Sequence, residues 1–161
     1  MLRSSQRLRK RQRKESVMNE LPDYFNGVIE ILTTYIENRT EHFTMALEGG
    51  DYVEGLYVQA LQEHDNVLLI EAASNEFLLP PLSEMANQKM IFMGWRFYPE
   101  SYLPNYTQFI DQSKVSPREI AVIMVRALHF AYGVDDTYAL EINPKLEAAR
   151  ELIDRLGMAN G

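Results

Sequence analysis

Cysteine is absent from the 161-residue chain, which removes disulfide staples, thiolate metal sites and a cysteine nucleophile from consideration. A reducing compartment fits that usage, and the expected location is the cytoplasm. No run approaches the roughly 18 consecutive apolar residues of a membrane-spanning helix, and the basic N-terminus lacks the apolar stretch that a secretory signal needs behind it. Histidine is scarce: His42, His64 and His129 are widely separated and never fall in an H-x-H, H-x-x-x-H or H-E-x-x-H spacing, so no metal centre is expected. There is no G-x-S-x-G turn to present a serine nucleophile. Gly49-Gly50 has neither the following helix nor the lysine of a phosphate loop and reads as a hairpin turn. Pairs of carboxylates do occur, Asp135-Asp136 and Asp51 with Glu54, but twenty-three acids guarantee such pairs by chance, and they read as solvated surface. No catalytic residue, metal or cofactor is nominated, and an enzyme is not expected.

What is present is an uneven charge. Seven of the sixteen basic residues stand in the first fourteen positions (Arg3, Arg7, Arg9, Lys10, Arg11, Arg13, Lys14), where there is no acid, so the rest of the chain carries nine basic against twenty-three acidic side chains, a net −14. Residues 1–17 cannot bury apolar surface and are expected to be a disordered basic arm. Three readings compete for it: a contact with nucleic acid or an anionic membrane, a tail lying solvated or against the acidic body, or a segment preceding a true start at Met18. An acidic body repels phosphate, so a nucleic-acid role would fall to the Arg7–Lys14 arm alone.

With 46% hydrophobic residues, the remainder, 18–161, suits one domain around one core. Pro22 opens a helix whose stripe is Tyr24, Val28, Ile31, Leu32, Tyr35 and Ile36. The period then changes to two. Phe43, Met45 and Leu47 alternate with polar neighbours; after Gly49-Gly50-Asp51, Leu56, Val58 and Ala60 alternate with Tyr57, Gln59 and Leu61; and Val67–Ala72 is almost continuously apolar, as in a central strand. Short turns between these strands predict an antiparallel meander. Ser83 caps a helix to about Phe92 with Met85, Ala86, Met90 and Met93 as apolar positions, ended by Gly94. Trp95–Tyr98 and Asn105–Ile110 read as two more strands. Ser116-Pro117-Arg118-Glu119 is a capping box opening a helix with Ile120, Ile123, Met124, Ala127 and Leu128, stopped by Gly133. A last helix is expected over 143–157, capped by Asn143 with Pro144 in its first turn and carrying Leu146, Ala149, Leu152, Ile153 and Leu156. The expectation is α+β: a mostly antiparallel five-stranded sheet with helices on it, in the order α-β-β-β-α-β-β-α plus a C-terminal helix.

Trp95, Phe97, Tyr98, Tyr102, Tyr106 and Phe109 crowd into fifteen residues on two strands and their connection. Alternation sends about half of them to the core. The others, with Tyr57, would form an exposed aromatic platform of the sort enriched at protein interfaces; core for all of them is the competing reading. The candidate peptide-binding residues are Tyr57, Trp95, Tyr98, Tyr102 and Tyr106.

Three blocks, Leu56-Tyr57-Val58-Gln59 through Glu71-Ala72-Ala73-Ser74-Asn75 with Leu78-Leu79-Pro80, then Gly94-Trp95 and Asn105-Tyr106, then the Ala121-to-Gly133 helix, resemble the TY-Chap group of bacterial domains, grouped with type III secretion chaperones and YbjN proteins. The likeness covers the core, about residues 22–134; the arm and the helical extension lie outside it. It implies the same element order, a sheet surface that binds peptides or unfolded segments, frequent homodimers, and neither cofactor nor active site. A protein or peptide client is therefore the expected partner, with a nucleic-acid-associated regulator using the arm as the alternative.

Overall fold

A computed structural model describes residues 20–39, 44–99 and 104–144, with side chains through Ile142. Pro22 leads into a single 3-10 turn, Asp23–Phe25, and directly into α1, Asn26–Glu37. Of the stripe read from the sequence, Val28, Ile31, Leu32, Tyr35 and Ile36 are buried and are joined by Ile29, whereas Tyr24 falls in the 3-10 turn and is exposed. Strands β1 (Thr44–Glu48), β2 (Tyr57–His64) and β3 (Val67–Ala72) follow as an antiparallel meander. The β2–β3 turn closes on Asn66, whose φ of 64° is a conformation asparagine tolerates better than most residues.

Helix α2, Glu84–Phe92, is capped by Ser83, whose hydroxyl accepts from the Ala86 amide at 3.1 Å. Gly94 ends it at φ 95°, the left-handed position that glycine occupies without steric cost. Two short segments, β4 (Arg96–Phe97) and β5 (Tyr106–Asp111), precede α3, Pro117–Phe130. Ser116 accepts from the Glu119 amide at 3.2 Å with Pro117 at the first helical position, as the capping signature demands. The chain then crosses to β6, Glu141–Pro144. The sheet order is β4-β5-β3-β2-β1-β6, every pairing antiparallel.

The sheet thus has six strands where five were expected, and the sixth takes the place of the start of the last helix. Asn143 does not cap a helix: it sits opposite Ala46, and Pro144 opposite Met45. Two local rules explain this. A residue before proline is driven toward extended backbone, and a proline is accommodated at the outer edge of a sheet because its missing N–H takes nothing from the ladder. The rest of the expected helix, 145–157, lies outside the described residues, as does the 1–17 arm.

The described helices lie on one side. Met45, Leu47, Val58, Ala60, Leu68, Ile70 and Ile110 point to that side and are buried under α1 and α3, which contribute Ile120, Met124, Val125 and Leu128 among others. Each of these side chains larger than alanine contributes about 1.5–3 kcal/mol by leaving water. Tyr132 reaches across this core to donate to the Ala73 carbonyl at 2.5 Å, and burial raises its phenol well above the usual range. No helix of the described residues is long and apolar enough to cross a membrane.

Candidate functional site

Because side chains alternate along a strand, fixing one face under the helices assigns the other. Register places Thr44, Leu61, Leu69 and Phe109 side by side in one row across β1, β2, β3 and β5. The next row is Ala46, Gln59, Glu71, Thr107 and Arg96. No described helix covers these rows. Leu61, Val67 and Leu69 are half-buried, while Phe109 is 65% exposed. The middle of the face is therefore apolar.

Its rim is acidic. Glu48, Glu71 and Asp111 share this face, Glu141 lies opposite Glu48 on β6, and Glu63 stands at the end of β2; Arg96 is the one lysine or arginine on the six strands. A polar chain holds part of the surface in shape. Tyr57 donates to Asn105 Oδ1 at 2.6 Å, Asn105 Nδ2 donates to Glu71 Oε2 at 3.3 Å, and Gln59 Nε2 donates to the same oxygen at 2.6 Å. Partial burial raises the Tyr57 phenol above its ordinary value, the Asn105 contact opposing and the Glu71 charge adding to the rise, so the hydroxyl stays protonated and keeps donating near neutral pH.

Two hollows bound the face. One, about 300 Å³, lies where Glu48, Asp51, Tyr57 and Glu141 converge. Beside it Tyr57 meets Phe77, ring centroids 6.4 Å apart. This corner depends on Gly55, at φ 83°, where a Cβ would collide with the Phe77 carbonyl. The other, about 360 Å³, lies at the opposite edge between Gly94, Arg96, Tyr98, Thr107, Gln108 and Phe109.

The residues singled out from the sequence divide accordingly. Tyr57 is half-buried on the open face, and Tyr98 is 51% exposed beside the second hollow. Trp95 and Tyr106 are buried: Trp95 has its indole N–H enclosed without a partner among the described residues, and Tyr106 donates to Asn87 of α2 and packs on Phe97. They belong to the helix side, following the parity of their strands. Tyr102 lies outside the described residues. Of the apolar row, Leu61 and Leu69 were missed, and Phe109 was seen in the aromatic cluster but not singled out as a binding residue. The available signal was Val67–Ala72: a strand apolar at both parities keeps Val67 and Leu69 on whichever face the helices leave bare.

Of the histidines, His129 is bound to the Val134 carbonyl through Nδ1 at 2.8 Å and packs on Phe25, and His64 closes the exposed end of β2. His42 is outside the described residues. Among the described residues no three or more His, Asp or Glu side chains are placed to hold a metal ion.

An open antiparallel sheet with one face packed and the other apolar, rimmed by charge, defines a chaperone-like α+β binding domain. The family comparison agrees. Residues 29–144 match the family model described as TY-Chap3, T3SS (YopN, CesT) and YbjN peptide-binding chaperone 3, and the chain belongs to that family of chaperone-type binding domains. Neither curated proteins nor solved structures yield a match.

Proposed function

We propose that the protein is a non-enzymatic cytoplasmic chaperone-like module that captures a segment of a client polypeptide on the open face of its sheet. The observation that carries this reading is the juxtaposition of the Leu61–Leu69–Phe109 row with the acidic rim. Apolar side chains of the client cover the row, and basic ones meet Glu48, Glu71 and Glu141. A helix is the element that a bare sheet face ordinarily accepts, and an amphipathic segment with lysine or arginine at its margins has matching chemistry. Tyr57 and Tyr98 sit at the two ends as aromatic anchors. The same acids disfavour phosphate, so the nucleic-acid alternative rests on the arm alone.

Self-association is a companion proposal, supported by a different surface. Helix α2 buries only Ala86 and Met90 and turns Met85, Ile91 and Phe92 outward, each more than half exposed. Such a patch suits an isologous contact with a second copy.

The client reading is tested with a fluorescein-labelled helical peptide of leucine and lysine, leucines at i, i+3, i+4 and i+7. Saturable binding is expected, weaker by about tenfold or more for the peptide with glutamate in place of lysine, since like charges across an interface are costly. Leu69→Asp is expected to abolish binding and Tyr98→Ala to weaken it. Equal affinity for the two peptides, or undiminished binding by a folded Leu69→Asp protein, refutes the reading.

A further inference from the structure

One carboxylate on the open face is held differently from the rest. Glu71 stands in the row of Ala46, Gln59, Thr107 and Arg96, two residues along β3 from Leu69, and it is half-buried, whereas Glu63 and Glu141 at the margins are exposed. Its Oε2 accepts from Gln59 Nε2 at 2.6 Å and from Asn105 Nδ2 at 3.3 Å. Its Oε1 has no hydrogen-bond partner among the described residues, and no described lysine or arginine pairs with it. Arg96 lies two strands away in the same row, about 10 Å at the usual strand spacing. Asn105 is only 3% exposed, and its amide is oriented by Tyr57, whose hydroxyl donates to Oδ1 at 2.6 Å. An amide that accepts through Oδ1 presents its donors on the other side, so the Tyr57 hydroxyl aims Nδ2 at Glu71.

We propose that Glu71 is the contact by which the open face selects its client, taking one lysine of the bound segment on Oε1 while apolar side chains of that segment cover Leu61, Leu69 and Phe109. The inference rests on the reading of this face as the client site and names the residue that makes it selective. Two features separate Glu71 from the exposed acids of the rim. A carboxylate already held by donors loses little freedom when a cation arrives, whereas an exposed long side chain must be ordered and its ion pair is screened by salt. A client laid over Leu69 also removes water from around Glu71, and a charge so enclosed is costly without a partner. A segment offering only apolar side chains there leaves Oε1 buried and unsatisfied, which is the source of the selectivity. Lysine suits the site better than arginine: an ammonium is a point charge that one oxygen satisfies, while the guanidinium fork matches both oxygens of a carboxylate, and Oε2 is already taken. Tyr57 and Asn105 act through Glu71 and are positioning residues. The Tyr57 hydroxyl thereby has a task separate from that of its ring, which packs beside Phe77.

The probe is a fluorescein-labelled helix with leucines at i, i+3, i+4 and i+7 and glutamine elsewhere, into which a single lysine is moved position by position along the two margins of the stripe. With the full chain, one position is expected to bind about tenfold tighter than the all-glutamine parent, the step that a charge-assisted hydrogen bond supplies. Arginine at that position is expected to be no tighter than lysine. Glu71→Gln should bring the lysine preference to about one, while Glu63→Gln and Glu141→Gln lower it by no more than about threefold. Tyr57→Phe keeps the ring and should cut the preference several-fold, a larger change than in its affinity for the parent, which a merely structural role does not produce. It also keeps the proposal open to refutation if Glu71→Gln fails to fold. A preference that survives intact in folded Glu71→Gln or in Tyr57→Phe overturns the inference, as does arginine binding about tenfold tighter than lysine. Peptide binding that is lost as protein concentration rises marks a second copy seated on the face and overturns it too. Where the parent and every lysine peptide bind equally, the inference fails and the client reading stands; where none of them binds, the client reading fails with it.

Discussion

The two faces of the sheet are written by alternate residues of the same strands, yet they do different work. Under α1 and α3, Met45, Val58, Ala60, Leu68 and Ile70 are wholly buried; one residue away, Ala46, Gln59, Leu61, Leu69 and Glu71 remain partly accessible. All the acidic side chains of β1, β3, β5 and β6 fall outside the packed face. A charge on the packed side would have to be desolvated, which is costly without a partner. Folding therefore constrains one parity, and the other is the one on which we propose that a client binds.

The sharpest way to break this comparison is to make the same truncation on adjacent residues of β3. Ile70→Ala opens a cavity in the core and is expected to cost about 2–5 kcal/mol, read as a fall in the urea midpoint. Leu69→Ala should cost under about 1 kcal/mol because its environment is already partly water, while weakening the leucine-lysine peptide. Equal destabilisation by the two would mean that the second face is also core.

Smaller effects sharpen the packed side alone. Ser116→Ala removes the acceptor of the Glu119 amide and should cost about 1 kcal/mol, with peptide affinity unchanged in the same titration. Tyr132→Phe loses the hydrogen bond to the Ala73 carbonyl, worth about 0.5–1.5 kcal/mol. It also changes the alkaline limb. The Tyr132 phenol is raised in the folded protein, so its contribution is intact below the unfolded tyrosine value of about 10 and is lost as pH climbs above it. Urea midpoints measured across that range should fall less steeply for Tyr132→Phe than for the natural protein.

Much of the packed face was legible because its signals are local. The α1 stripe, the meander and the Ser83 and Ser116 caps each depend on residues close in sequence. β6 was not: Asn143-Pro144 satisfies the pattern of a capped helix as well as that of an edge strand, and pairing with β1, nearly a hundred residues away, settles between them. The open face was legible only in part. Aromatic content drew attention to Trp95 and Tyr106, which strand parity sends inward, whereas the bare row consists mostly of leucines that become neighbours only when β2, β3 and β5 align. Register, a long-range property, decides which apolar residues are surface.

The central claim, that client binding belongs to one parity of the strands, is most directly tested by methyl NMR of the full chain during titration with the leucine-lysine peptide. The account predicts shifts in the methyl signals of Leu61, Val67 and Leu69, with those of Val58, Leu68 and Ile70 little changed. Shifts confined to Met85 and Ile91 of α2, or spread equally over both parities, would contradict it.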